Sequence, residues 1–251
     1  MSKVVNETRY PSAWHASFAD VTSNSARLIL SFLQNFIQLD SVLELGCGEA
    51  HWSANALSLG TQTVCAVDGP WNNKERLNVA SSQYIEAEIN RNLDVPGKFD
   101  MAICLEVAEH VDMDFATKIV SILSEASDVV LFGAAIPFQG GFGHINEQWP
   151  SWWNEKFLLA GFRPYDVIRP KFWNHPGIHY WYKQNTILYI RDGAKNIDLE
   201  KLSSLKDWGN GEYVMDVVHP EKFLSVASYS EVSISRFLKK LPKHLKKRIL
   251  W

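Results

Sequence analysis

The segment that most constrains the fold is an apolar run that stops at an acid and two glycines. Residues 41–50 have the sequence SVLELGCGEA. An apolar run of this length is typical of a buried parallel strand, and the stretch that begins at Ala50 is compatible with a helix. Gly46 and Gly48 permit a sharp turn and place no side chain between the backbone and a ligand. The helix-start amides and the carboxylate of Glu44 would suit a nucleoside ligand that carries a positive charge or an amine.

The segment can be compared with two known types of glycine-rich turn. A dinucleotide fingerprint, G-x-G-x-x-G, fits Gly46 and Gly48 but would need a third glycine where His51 stands. The segment resembles motif I of the class I S-adenosylmethionine-dependent methyltransferases, E/D-x-G-x-G-x-G, with Ala50 in the last glycine position. A plain strand–helix connection without a ligand is the third interpretation.

Later segments extend the resemblance in the order that the family would require. Residues 99–111, FDMAICLEVAEHV, resemble the FD-strand-xEVxEH segment of many small-molecule methyltransferases. Asp68 ends a second apolar run, where a carboxylate could accept hydrogen bonds from a ribose diol. Trp71 could cover an adenine face, and Glu88 could accept from the adenine amine. The resemblance implies S-adenosylmethionine as cofactor, bound by Glu44, Gly46, Cys47, Gly48, Asp68, Gly69, Trp71, Glu88 and Glu106.

Strands and helices alternate along the chain, which predicts an α/β fold with a mostly parallel sheet and helices on both faces. The resemblance implies a Rossmann-like class I methyltransferase sheet of seven strands, with the last strand antiparallel beside strand five. We predict strands at 41–45, 63–68, 83–88, 99–105, 129–136, 165–169 and 186–191, and helices at 25–37, 50–59, 74–82, 112–125 and 152–160. The predicted organisation is an N-terminal helical cap (1–39), a cofactor-binding domain (40–192) and a C-terminal extension (193–251).

The acceptor side is predicted from the polar segment that follows strand five. His144 is the first candidate for a general base, because the ordinary pKa of histidine lies near the working pH, and His110 is the second. Either histidine could instead tie a loop to a backbone carbonyl. Asn146, Glu147, Trp149 and Trp181 are candidate acceptor-binding residues, although the aromatic rings could equally be packing.

The absence of two motifs narrows the range of reactions that the sequence predicts. No NPPY-like tetrapeptide follows strand four, and no His–carboxylate cluster has the spacing of a metal-dependent catechol site, so we predict a metal-free O-methyltransferase. N-methylation, a non-catalytic cofactor-binding module and a nicotinamide enzyme are the alternatives. HINEQWPSWW (144–153) and WYKQN (181–185) resemble bacterial methyltransferase-domain proteins of glycan assembly, which implies a small-molecule or saccharide acceptor and a role in surface polysaccharide biosynthesis.

Composition and charge bear on location and partners. The formal net charge of −3 argues against a nucleic-acid partner. Three cysteines without C-x-x-C spacing are typical of reduced thiols, and no signal peptide or membrane-spanning run is visible, so a cytoplasmic protein is expected. The basic, amphipathic residues 233–251 predict peripheral contact with a membrane; a partner-docking helix and a solvated tail are the alternatives.

Overall fold

A seven-stranded sheet, with strand order β3-β2-β1-β4-β5-β7-β6, forms the centre of the fold. The computed structural model describes residues 12–89, 93, 95–205 and 215–230. The strands are β1 (Ser41–Leu45), β2 (Thr63–Asp68), β3 (Tyr84–Glu86), β4 (Met101–Leu105), β5 (Val129–Gly133), β6 (Phe162–Tyr165) and β7 (Ile187–Arg191). Strands β1 to β5 pair in parallel, and β7 runs antiparallel to both β5 and β6. The predicted sheet, including its antiparallel last strand, is confirmed.

Eight α-helices lie in the described residues. They are α1 (Ser12–Leu33), α2 (His51–Ser58), α3 (Ala116–Ala126), α4 (Pro150–Leu159), α5 (Ile168–Phe172), α6 (Tyr180–Asn185), α7 (Leu199–Ser203) and α8 (Pro220–Ser230). Of these, α1 to α4 pack on the two faces of the sheet. Successive side chains of a strand point to opposite faces. Val42 of β1 therefore packs in an apolar cluster with α1 and α2, whereas Leu43 packs in a second cluster with α3 and α4.

Several element boundaries differ from the sequence predictions. The helix predicted at 25–37 begins at Ser12 and ends at Leu33. The helix predicted at 74–82 is replaced by two short 3₁₀ turns, Lys74–Arg76 and Ser81–Gln83. Asn73 caps the first turn by accepting a hydrogen bond from the Glu75 amide, so a local side-chain contact replaces a continuous helix.

The strand predicted at 165–169 is wrong in both position and length. Gly161, with φ of +84°, turns the chain out of α4, so that β6 begins at Phe162. The end of the predicted strand belongs instead to α5, whose first residue is Ile168. The buried Arg169 of α5 donates to both carboxylate oxygens of Asp166, at 2.8 and 2.6 Å, which favours the turn into a helix over an extended chain.

The chain divides into two units, 1–217 and 218–251. The described part of the second unit contains α8, whose Phe223 amide donates to the His219 carbonyl. The domain boundaries at 39/40 and 192/193 stay predictions, and the amphipathic segment 233–251 lies outside the described residues. Within those residues, every helix is too short or too polar to cross a bilayer.

Candidate active site

A cavity of about 1000 Å³ opens where the carboxyl ends of the central parallel strands meet. The turns that follow β1, β2 and β4 contribute to its wall, together with α1, α6 and the loop after β5. Most of the predicted site residues line it: Glu44, Gly46, Cys47, Gly48, Asp68, Trp71, Glu88, Glu106, His110, His144 and Trp181. The fold therefore brings segments more than 130 residues apart in sequence to one cavity.

The two glycines after β1 have different roles. Both have positive φ, +76° at Gly46 and +53° at Gly48. A Cβ on Gly46 would overlap the methyl groups of Val107, whereas a Cβ on Gly48 would meet no protein atom within 4 Å. Gly46 therefore makes room for the turn after β4, and its predicted contact with the cofactor stays a prediction, since Gly46 also lines the cavity. Gly48 leaves the open space of a ligand cradle.

Glu44 is buried behind the glycine turn. Its Oε2 accepts from the amide of Ser53, at 2.8 Å, and from the hydroxyl of Ser53, at 2.6 Å, near the start of α2. Burial raises the pKa of Glu44 to about 7, and these hydrogen bonds only partly oppose that rise. A positively charged ligand group in the cavity would favour the ionised form of this carboxyl.

Asp68 fixes the turn after β2 against the turn after β1. Its two oxygens accept from the amides of Gly48 and Gly69, each at 2.7 Å. Gly69 itself does not line the cavity; a Cβ there would overlap the ring of Trp71, so the glycine lets this indole lie flat against the backbone. The predicted role of Gly69 in binding is thus replaced by support of Trp71, which does line the cavity.

Glu106 directly follows β4 and has a left-handed conformation, with φ of +57°. Its carboxylate accepts from Gln139, at 2.7 Å, and from Asn185, at 2.8 Å, in an amide network that includes Gln184. Burial raises the pKa of Glu106 to about 7, and the two side-chain hydrogen bonds partly oppose it. Sequence reasoning missed the three amides, because they lie on two segments that meet only in the folded sheet.

Glu109, which sequence reasoning also missed as a site residue, lies close to both candidate histidines. It is fully buried, and His144 Nε2 lies 3.9 Å from its Oε1. The rings of His110 and His144 meet edge to face, with centroids 4.8 Å apart. Burial raises the pKa of Glu109 well above its ordinary value, and the nearby Glu106 adds to that rise. The signal in the sequence was the EVAEH segment, in which only Glu106 and His110 were selected.

Three residues predicted to bind the acceptor lie outside the cavity lining. Glu147 instead holds the preceding loop, since it accepts from the amides of Phe138 and Gly140 and pairs with His144 Nδ1. Asn146 is buried, and its Oδ1 accepts from Gln148. Trp149 precedes α4 as its N-cap residue. Glu147 and Asn146 thus make contacts within the loop, and their predicted contact with the acceptor stays a prediction.

All three cysteines are buried and free within the described chain. Cys47 lines the cavity, and burial raises the pKa of its thiol far above the ordinary range. Buried thiols of this kind are typically unreactive, and Cys47 contributes surface to the cavity wall.

Comparisons with known proteins agree with this architecture. A family model described as a methyltransferase domain matches residues 17–155, more than half of the chain. A putative O-methyltransferase from Nostoc punctiforme superposes with a TM-score of 0.52 at 13% identity, over 76% of this chain and 64% of that protein. An S-adenosylmethionine-dependent methyltransferase from Clostridium acetobutylicum gives 0.51 at 15% identity, over 71% and 94%. At these identities the likeness shows the fold, and no curated protein matches the sequence.

Proposed function

The chain belongs to the methyltransferase-domain family and is a class I S-adenosylmethionine-dependent methyltransferase; from that premise we propose that its acceptor is a hydroxyl group of a small molecule or saccharide. The observation that carries the proposal is the group of Glu109, His110 and His144 in the same cavity as the glycine turn. A hydroxyl must give up its proton as its oxygen becomes an ether, so a proton-accepting group beside the acceptor suits this chemistry.

The cofactor fits the part of the cavity between the turns after β1 and β2. The open space at Gly48 leaves room for the cofactor beside the backbone. Asp68 would accept hydrogen bonds from the ribose hydroxyls in addition to those that it accepts from the amides of Gly48 and Gly69. Trp71 would cover the adenine, and Glu44 would meet the amino-acid end. When bound, S-adenosylmethionine supplies a methyl group whose bond to sulfur breaks as the bond to the acceptor oxygen forms, leaving a neutral thioether.

The acceptor would lie against the loop after β5. His144 is the candidate general base, because Glu147 Oε1 pairs with its Nδ1 at 2.9 Å and so leaves Nε2 as the proton-accepting nitrogen. Tyr180, Trp181 and Phe142 also line the cavity. Aromatic faces among polar groups suit a sugar ring, which supports the saccharide over a fully apolar acceptor.

Turnover of a panel of acceptors tests this proposal. Saccharides, phenols and amines are incubated with methyl-labelled S-adenosylmethionine, and products are followed by label and mass. We expect hydroxyl acceptors to gain one methyl group, and His144→Gln to lose turnover by about 10²-fold or more while it still binds S-adenosylhomocysteine. His175→Gln, outside the cavity lining, is the matched control. Methylation of amines alone would establish N-methylation in its place.

A further inference from the structure

Three potential metal-ligand side chains converge in the cavity. Glu109, His110 and His144 offer ligand atoms that all lie within 4.8 Å of one another. Glu109 is 0% exposed, and neither carboxylate oxygen meets hydrogen-bond geometry with any group in the described chain. Burying a carboxylate with so few partners costs free energy that a bound cation would offset.

Both imidazoles are oriented by contacts at Nδ1. His144 Nδ1 lies 2.9 Å from Glu147 Oε1, and His110 Nδ1 lies 3.2 Å from the carbonyl oxygen of Gly143. A carbonyl or an ionised carboxylate can only accept, so Nδ1 is assigned as the N–H donor in each ring and Nε2 carries the lone pair. Metal-binding histidines characteristically donate their second N–H to such a carboxylate or carbonyl.

The backbone brings these side chains together from two segments. Glu109 and His110 lie in a 3₁₀ turn after β4, and the Glu109 carbonyl accepts from the amides of Ile145 and Asn146 at 2.9 and 3.0 Å. A Cβ at Gly141 would overlap the ring of His144, so only glycine allows the imidazole this position. The cluster is thus built into the fold by a backbone pairing and a required glycine.

We propose that Glu109, His110 and His144 bind a divalent metal ion of the Mn²⁺–Zn²⁺ class. Two imidazoles and one carboxylate form a ligand set suited to these ions, and three protein ligands leave positions open for water or a substrate oxygen. Ligand atoms that share such an ion lie about 3–3.5 Å apart, given bond lengths of about 2.0–2.2 Å. His144 Nε2 and Glu109 Oε1 are 3.9 Å apart and the ligand atoms spread over up to 4.8 Å, so the side chains would have to move together by about 1 Å to share an ion.

The metal site deepens the proposed O-methylation and, in its consequence for the acceptor, rests on it. An acceptor hydroxyl at an open position would lose its proton to water more readily, because the cation stabilises the oxygen anion. With the cation bound, His144 would serve as a ligand, and the cation would lower the pKa of the acceptor hydroxyl so that water could accept its proton in place of His144. The sequence expectation of a metal-free site stays a prediction, and the metal titration decides between it and this proposal.

Titration of the metal-free, untagged full-length chain with Mn²⁺ tests the site directly. Loss of the free Mn²⁺ signal in electron paramagnetic resonance reports binding without turnover. We expect one Mn²⁺ per chain, displaced by Zn²⁺, and affinity lowered by more than about tenfold in Glu109→Gln and His144→Gln. His175→Gln is the matched control and should bind as the parent does. Absence of saturable binding, or equal binding by Glu109→Gln and the parent, would overturn the proposal.

Two further measurements separate this site from the proposed function and from misfolding. Mn²⁺ should raise the melting temperature of the parent and leave that of folded Glu109→Gln unchanged. If Glu109→Gln does not fold, His144→Gln carries the comparison. Calorimetry with S-adenosylhomocysteine is run on the same samples. Cofactor binding without metal binding would reject the metal site alone, and metal binding without cofactor binding would reject the proposed function alone.

Discussion

At the residue scale, Gly48 offers the sharpest test of the cofactor cradle. Gly48→Ala adds a methyl group that meets no protein atom, so its clash is with the ligand. Gly60→Ala is the matched control, since Gly60 also has positive φ and open space. Each variant should lose about 1 kcal/mol of stability from backbone strain. Only Gly48→Ala should weaken S-adenosylhomocysteine binding, by about tenfold or more in calorimetry, and equal affinities for the two variants would reject the cradle.

The raised pKa of Glu44 predicts that cofactor binding releases a proton. With a pKa of about 7 in the free protein, most Glu44 carboxyls carry a proton at pH 6. An ammonium group of the ligand would lower this pKa, so binding at pH 6 should release a proton. Calorimetry in buffers of different ionisation enthalpy measures the release. Glu44→Gln should reduce it, whereas the exposed Glu125→Gln should not; unchanged release in Glu44→Gln contradicts the assignment.

The raised pKa of Glu44 also makes the free energy of unfolding depend on pH. The pKa of Glu44 in the folded chain lies above its ordinary value of 4.5, so the unfolded chain releases this proton at lower pH. The free energy of unfolding should therefore fall as pH rises from about 4.5 through about 7, by about 3 kcal/mol for this group. Urea unfolding across that range should show a smaller fall for Glu44→Gln than for the parent, and parallel curves would rule out the shift.

At the scale of elements, the loop after β5 is held in shape by one carboxylate. Glu147 accepts from the amides of Phe138 and Gly140 and from His144 Nδ1, at 2.7 to 2.9 Å. Hydrogen bonds to a charged group contribute about 1.5–3 kcal/mol each, so Glu147→Gln should loosen the loop. Hydrogen exchange at the two amides should accelerate and turnover should fall, with cofactor affinity unchanged. Glu155→Gln, exposed on α4, is the control; unaltered exchange in Glu147→Gln would disprove this role.

The positions of the strands and turns show which parts of the site could be predicted from the sequence. The strand ends at Glu44, Asp68 and Glu106 could be predicted to share one edge, because each apolar run stops at an acid and parallel strands align their carboxyl ends. The left-handed backbone conformations of Ala50 and Glu106 could not be predicted from the sequence, because residues other than glycine rarely adopt them. The role of a side chain such as that of Glu109 depends on a loop that returns from a distant part of the chain, and local periodicity carries no information on such a pairing.

The aromatic residues near the acceptor side illustrate the same limit. Of the five tryptophans between 149 and 181, Trp153 is buried in the core against Phe132, whereas Trp181 lines the cavity. Both have polar neighbours in the sequence and both follow a turn-rich segment. Which ring meets the ligand is decided by the direction in which α4 and α6 pack on the sheet, and this direction is a property of the assembled fold.

At the scale of the whole molecule, charge is divided unevenly along the chain. Residues 233–251 contain 7 of the 25 basic residues and none of the 28 acidic ones, so residues 1–232 carry 18 basic against 28 acidic side chains, a net charge of −10. An acidic body disfavours an anionic surface, whereas each basic residue near such a surface contributes about 1 kcal/mol of attraction. The basic segment is therefore the part of the sequence best suited to attract an anionic membrane.

We accordingly propose that residues 233–251 bring the enzyme to an anionic membrane, where a lipid-linked saccharide would be within reach. The full chain should co-sediment with vesicles that contain anionic lipid and much less with neutral vesicles. Added salt should weaken only the electrostatic part of this binding. Apolar residues of the segment would supply the part that salt leaves intact. A chain ending at residue 232 should lose sedimentation and keep its affinity for S-adenosylhomocysteine, since every proposed cofactor contact precedes residue 107 in the sequence. Equal sedimentation of the two chains would assign the segment to packing or to a protein partner.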